Sequence, residues 1–122
     1  MAWQFNQMEP VFLQIAQRLR ARIVSGELAP GDPVPTVRQL AADAAVNPNT
    51  VQRALILLEE EGLLHTEGTV GRFVTTDENV VAEARDTLLR AVVQRLVREA
   101  HTLGLSPSAL IEFIKKEEQD FV

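Results

Sequence analysis

Few side chains in this sequence could make or break a covalent bond. Its 122 residues include no cysteine, which removes thiolate nucleophiles, disulfides and the thiolate ligands of common structural zinc sites. The two histidines, His65 and His101, lie in different segments and lack the i, i+4 spacing of a helical metal site. Ser25, Ser106 and Ser108 sit beside expected helix ends, where capping explains them, and no Ser-His-Asp order is present. Gly68 and Gly71 alone do not make a phosphate-binding loop. No catalytic residue, metal ligand or cofactor is expected, and an enzyme ranks last among the readings. What remains is a set of hydrogen-bonding and cationic side chains: Asn47, Asn49, Thr50, Gln52 and Arg53, with Arg38 before them and Arg72 after. Asn and Gln can bond adenine bidentately in the major groove and Arg can grip guanine or phosphate, although polar side chains also populate helix surfaces that bind nothing. The chemistry on offer is recognition.

The elements that would position these residues follow from periodicity. After Pro10, Phe12, Ile15, Ala16, Leu19 and Ile23 fall at helical spacing, with Gln14, Gln17, Arg18 and Arg22 expected on the outer face and Gly26 closing the helix. Residues 28–35, LAPGDPVP, carry a Pro-Gly turn signal among three prolines and predict a tight connection. Thr36 and Gln39 form a capping box for a two-turn helix with an apolar stripe of Val37, Leu40, Ala41 and Ala44. After a short break, Asn47-Pro48 reads as an N-cap followed by proline at the first helical position. That third helix buries Val51, Ala54, Leu55 and Leu58, turns Asn49, Gln52 and Arg53 outward near its start, and stops at Gly62. The acidic run 59–61 at its end is expected to be a solvated face. Residues 63–66 and 70–74 predict a hairpin around Glu67-Gly68-Thr69.

Helix, tight turn, helix and glycine-tipped hairpin form the pattern of a winged helix-turn-helix, whose second helix can enter the major groove of DNA. An ordinary three-helix core with a hairpin explains the periodicity equally well. Charge does not decide between them. The net charge is -5; residues 1–75 hold six Arg against eight Asp/Glu and residues 76–122 hold six Lys/Arg against nine, so neither half is basic. Any DNA binding must rest on a few placed arginines. The hydrophobic share of 46% and charged share of 24% are those of a globular chain. The N-terminal residues MAWQFNQMEP lack the pattern of an export signal and no apolar run approaches a membrane span, so a cytoplasmic protein without membrane partner is expected.

Four consecutive segments carry a family resemblance: GELAPGDPVPTVRQLA (26–41), VNPNTVQRAL (46–55), LEEEGLL (58–64) and GTVGRFV (68–74). In order and spacing they resemble the GntR family of bacterial transcription regulators over residues 10–74. The resemblance implies a DNA-binding domain over 1–75, with DNA contacts at Thr36, Arg38, Asn47, Asn49, Thr50, Gln52, Arg53, Gly68, Thr69, Gly71 and Arg72. Three positions depart from the family pattern: Leu55 replaces the usual Tyr, Thr69 the commoner Gly, and Glu67 stands beside the wing tip where a basic residue is usual.

The remaining residues are too few for the large effector domains of most subfamilies. Asp77 caps a long expected helix to about Leu103, and Ser106-Pro107 starts another. The apolar stripe of the first is wider than one surface can cover, and Leu110, Ile111, Phe113 and Ile114 give the second an apolar side. The arrangement resembles the short YtrA-like subfamily, which implies that residues 76–122 form a dimerisation region, with Val81, Leu88, Val92, Leu96, Leu103, Ile111 and Ile114 facing the partner. The expected fold is mainly α: an N-terminal winged helix-turn-helix of three helices plus a β-hairpin wing, then a two-helix tail. The expected partners are double-stranded DNA on a pseudo-palindromic operator, a second copy of the chain and an unidentified small-molecule effector, with repression as the mode. A winged-helix protein-interaction module and a dimeric small-molecule sensor are the competing readings.

Overall fold

The computed structural model describes residues 3–121 of the chain. Its elements run α1 (Val11–Val24), α2 (Val37–Ala44), α3 (Pro48–Glu60), β1 (Leu64–Glu67), β2 (Gly71–Val74), α4 (Glu78–Thr102) and α5 (Pro107–Phe121). These divide into two units, residues 1–85 and 86–122.

In the first unit, α1 through α3 converge on a core in which Ile15, Leu19, Ile23, Leu40, Val51, Leu55, Leu58, Leu63 and Val74 are all at most 2% exposed. Each helix brings the apolar stripe that its spacing predicts, Leu55 included. One outward assignment is corrected. Gln14 is 7% exposed, because its carboxamide accepts from Asn6 N at 3.0 Å and donates to the carbonyls of Asn6 and Glu9 at 2.9 Å each. It ties down the preceding segment, whose Trp3 and Phe5 pack against the core beneath the Arg18 guanidinium, 5.3 and 5.4 Å from the two ring centroids.

The turn between α2 and α3 passes through Ala45 in the left-handed region, φ 57° and ψ 48°. Val46 N donates to Ala41 O at 3.1 Å across it, which closes the helix as a Schellman-type end. An L-residue there costs roughly 1–2 kcal/mol that glycine would avoid.

The hairpin is antiparallel, with Leu64 opposite Val74 and Glu67 opposite Gly71. Its second strand starts one residue later than the apolar run suggests; Val70 belongs to the turn and is 76% exposed. The 28–35 connection pairs along the other edge of β2. Val34 N donates to Arg72 O, Gly31 N to Val74 O and Val74 N to Asp32 O, all at 2.9 Å. The wing is thus sewn to the segment that delivers α2.

Asp77 caps α4 as expected, accepting from Asn79 N at 3.0 Å and Val80 N at 3.4 Å. The first turns of α4 belong to the core of the first unit, where Val81 is 7% exposed and Val80 and Ala84 pack beside it. Val81, expected in the dimerisation stripe, is therefore covered by the chain's own core rather than left open as the later residues of that stripe are.

In the second unit, Gly104 (φ 79°) turns the chain between α4 and α5, and Ala100 and Leu110 are buried beside the turn. Along the rest of both helices the apolar side chains are uncovered. Val92 is 50% exposed, Leu96 39%, Leu103 84%, Ile111 53% and Ile114 46%, while Leu88 is half-buried.

Candidate nucleic-acid interface

Two helix starts and one strand pair supply the candidate residues. The start of α2 is built by the capping box: Thr36 Oγ1 accepts from Gln39 N at 3.1 Å, and Thr36 N donates to Gln39 Oε1 at 2.8 Å. The Thr36 hydroxyl proton stays available at an exposed position. Two residues on, Arg38 is exposed and makes no hydrogen bond or ion pair among the described residues.

At the start of α3, Asn47 Oδ1 accepts from Asn49 N at 2.8 Å, with Pro48 at the first helical position. One lone pair of the Asn47 oxygen is thereby committed to the cap, and its amide hydrogens remain free to reach outward. Asn49 is exposed, Thr50 and Gln52 are half-buried and Arg53 is exposed. The free backbone amides of such a start carry a partial positive charge, which favours a nearby phosphate. Arg53 is not loose. Its guanidinium carbon lies 3.9 Å from the centroid of the Phe12 ring on α1, so one face is stacked while its edge N–H groups stay open.

The wing differs from expectation in two respects. Arg72, near the start of β2, points back onto α3. Its Nε donates to Glu59 Oε1 at 2.5 Å, and an Nη to Gln52 Oε1 at 3.3 Å. Thr66 of β1 donates to the same Glu59 oxygen at 2.6 Å. The Thr66 hydroxyl, then the Arg72 guanidinium, hold the Glu59 carboxyl below its ordinary value against the opposing effect of burial. The expectation that residues 59–61 form a solvated face is corrected for Glu59, which docks the wing; Glu60 and Glu61 are exposed, and Glu61 pairs with Arg20 at 2.6 Å. Glu67 beside the wing tip lies 3.0 Å from His65 Nε2, its strand neighbour two residues back. The tip itself, Gly68 and Thr69, is exposed, and a Cβ on Gly68 or Gly71 would meet nothing within 4 Å.

Thr36, Gln39, Thr66, Gly71 and Arg72 line one open groove between the start of α2 and the wing. Gln52, Glu59, Thr66 and Arg72 form one bonded network, while Arg53 is held apart against Phe12. Reading the sequence missed Glu59, Thr66 and Phe12. A signal for Glu59 was present, since Gln52 and Glu59 are seven apart and share a helix face two turns apart.

A tight helix-turn-helix with an unfilled polar start on its second helix, backed by a wing, is the arrangement that binds DNA. Residues 12–74 match the family described as bacterial regulatory proteins, gntR family. The chain belongs to the GntR family. Over 112 residues it is 38% identical to the HTH-type transcriptional regulator YhcF of Bacillus subtilis, spanning 92% of this chain and 93% of YhcF. Identity to the B. subtilis transcriptional repressor YtrA is 32% over 112 residues, 91% of this chain and 86% of YtrA. The fold matches a GntR family transcriptional regulator from Listeria monocytogenes with a TM-score of 0.84 at 29% identity, covering 92% of this chain and 98% of the other. This GntR chain is a transcription regulator with a winged helix-turn-helix, and its likeness to YhcF and YtrA runs over most of their length. Among the described residues no helix is long and apolar enough to cross a membrane.

Proposed function

We propose that this GntR regulator is a cytoplasmic repressor that binds a pseudo-palindromic operator as a homodimer. The observation that carries the reading is the open polar start of α3, which carries Asn49, Thr50, Gln52 and Arg53, with Arg38 exposed near the start of the preceding helix. Asn49 and Gln52 are the base-reading side chains, Arg38 and Arg53 grip phosphate, and Thr36 and Asn47 donate their free hydrogens to the same backbone. The bare tip at Gly68, Thr69 and Gly71 lets the wing backbone approach the duplex closely.

The homodimer is supported by the uncovered apolar side chains of the second unit. Residues 89–99 and 111–120 are exposed throughout in the single chain, yet include Val92, Leu96, Ile111 and Ile114. Helices of this length owe most of their stability to packing of an apolar face, so a second copy is the natural cover. Repression is supported by the likeness to the repressor YtrA. A small-molecule effector would act by changing the relative pose of the two heads, and by reciprocal linkage its own affinity would change by the same factor on operator binding.

The test is binding of the full chain to DNA from its own upstream intergenic region, with unrelated DNA as competitor, beside Leu96→Glu. The wild type should sediment as a dimer and retard that DNA selectively, and Leu96→Glu should be monomeric and bind isolated half-sites only. A wild-type chain that prefers no sequence sinks the reading. Transcription from that promoter in vitro should fall as the protein is added.

A further inference from the structure

Arg72 belongs to the wing, but every donor contact recorded for its side chain runs inward. The side chain is 20% exposed and Glu59, its main partner, 28%. An arginine has donors and no acceptor, so the atom of Gln52 that meets it, at 3.3 Å, must be the carboxamide oxygen. This settles which way the Gln52 amide is turned. The oxygen lies toward Arg72 and the Nε2 hydrogens away from it.

We infer that Arg72 is a positioning residue: clamped by Glu59, it holds Gln52 so that this side chain turns its Nε2 hydrogens, and not its oxygen, toward a base. Reading adenine bidentately requires the carboxamide to accept from N6 while donating to N7. With its oxygen turned toward Arg72 and one lone pair taken there, Gln52 leads with its Nε2 hydrogens and suits an edge made of acceptors, the N7 and O6 of guanine. Glu59 fixes Arg72, Thr66 helps to fix Glu59, and the base preference of α3 is set in part from the wing. The inference rests on α3 being the recognition helix, and it names one of that helix's specificity determinants.

The experiment is selection from randomised half-sites by the full-length protein, with the salt dependence of binding measured for wild type, Gln52→Ala, Arg72→Lys and Arg72→Ala. Lysine keeps the charge but cannot make the planar two-point contact to Glu59 and Gln52. Wild type should prefer guanine over adenine at one position per half-site, by about 5- to 150-fold. Gln52→Ala should lose that preference, and Arg72→Lys should lose it at the same position, with circular dichroism confirming an intact fold. Neither Arg72 variant should alter the salt slope. If Arg72→Ala flattens the slope by about 1.8 per dimer while base preferences persist, Arg72 grips phosphate and the inference is wrong. Preservation of the preference in Arg72→Lys, or in Gln52→Ala, overturns it equally. In each of those cases the operator-binding reading survives; a wild type that selects no sequence overturns both.

Discussion

Val81 tests where the first unit ends in energetic terms. It heads the apolar stripe that periodicity carries from Val81 to Leu103, yet it is 7% exposed and packs with the core of the winged helix. Truncation to alanine removes two buried methyl groups, about 1.6 kcal/mol of transfer energy at roughly 0.8 kcal/mol each. The cavity left behind adds to this, for a total of about 2–3 kcal/mol. In a domain of some 60–100 residues that corresponds to a fall in melting temperature of roughly 8–24 °C. The single tryptophan, Trp3, packs against the same core, so its fluorescence during urea unfolding reports this unit. Val81→Ala should lower the unfolding midpoint and leave the sedimentation dimer constant unchanged. Val92→Ala, at a residue 50% exposed in the single chain, should do the reverse. A Val81→Ala protein that unfolds like wild type but dissociates more readily would return Val81 to the dimer interface and refute the packing argument.

Thr36→Ala removes the hydroxyl half of the capping box, the acceptor for Gln39 N, while the backbone N–H of residue 36 can still donate to Gln39 Oε1. It should cost about 1 kcal/mol in urea unfolding, with Thr36→Ser close to wild type; equal stability of Ala and Ser variants would deny the cap any role. Ala45→Gly relieves a left-handed alanine and should gain up to about 1 kcal/mol after the extra entropy of the unfolded glycine is set against it; a loss would show that Ala45 is not strained. The carboxyl of Glu59 is held below its ordinary value of 4.5, so its ionised form contributes stability that is present above that pH and lost as pH falls through the lower folded value. The stability gap between wild type and Glu59→Gln should therefore be largest near neutrality and close in acid, and a gap independent of pH would contradict the assignment. With Arg38 and Arg53 as the phosphate grips of each protomer, about four phosphates are neutralised per dimer and log K should fall against log salt with a slope near -3.6; a slope of about -5 or steeper would mean that further cations take part.

Local signals carried most of the fold. The capping box at Thr36 and Gln39 and the Asn47-Pro48 helix start depend on residues within three positions of one another, and they form as their spacing predicts. The buried stripe of α3, Val51, Ala54, Leu55 and Leu58, also follows from spacing alone. What spacing cannot supply is the identity of the neighbour. Val81 lies on an apolar face, but periodicity does not distinguish the chain's own core from a second copy as its cover. Gln14 looks like a surface residue until Asn6 and Glu9 fold back over it. Glu59 looks solvated until a strand 13 residues later returns Arg72 to its side. Each miss is a polar or apolar group whose partner comes from another element, and at the candidate interface such partners decide which donors remain free.

That internal pairing explains how a net acidic chain can still be a selective DNA binder. Of the six arginines in residues 1–75, Arg18 lies against Trp3 and Phe5, Arg20 pairs with Glu61, Arg22 with Glu27 and Arg72 with Glu59. Arg38 and the edge of Arg53 remain. A single head so equipped has little nonspecific attraction for phosphate, because that attraction scales with the number of cations brought to the backbone. Its hold on an isolated half-site is correspondingly weak, and useful affinity has to come from joining two heads, where the second binding event becomes intramolecular. The gain exists only when both half-sites are present at the separation the dimer allows. On the proposed homodimer, an acidic surface with few free arginines would thus lower the background on random DNA and transfer the burden of affinity to the spacing between heads, the property that a dimerising tail would set.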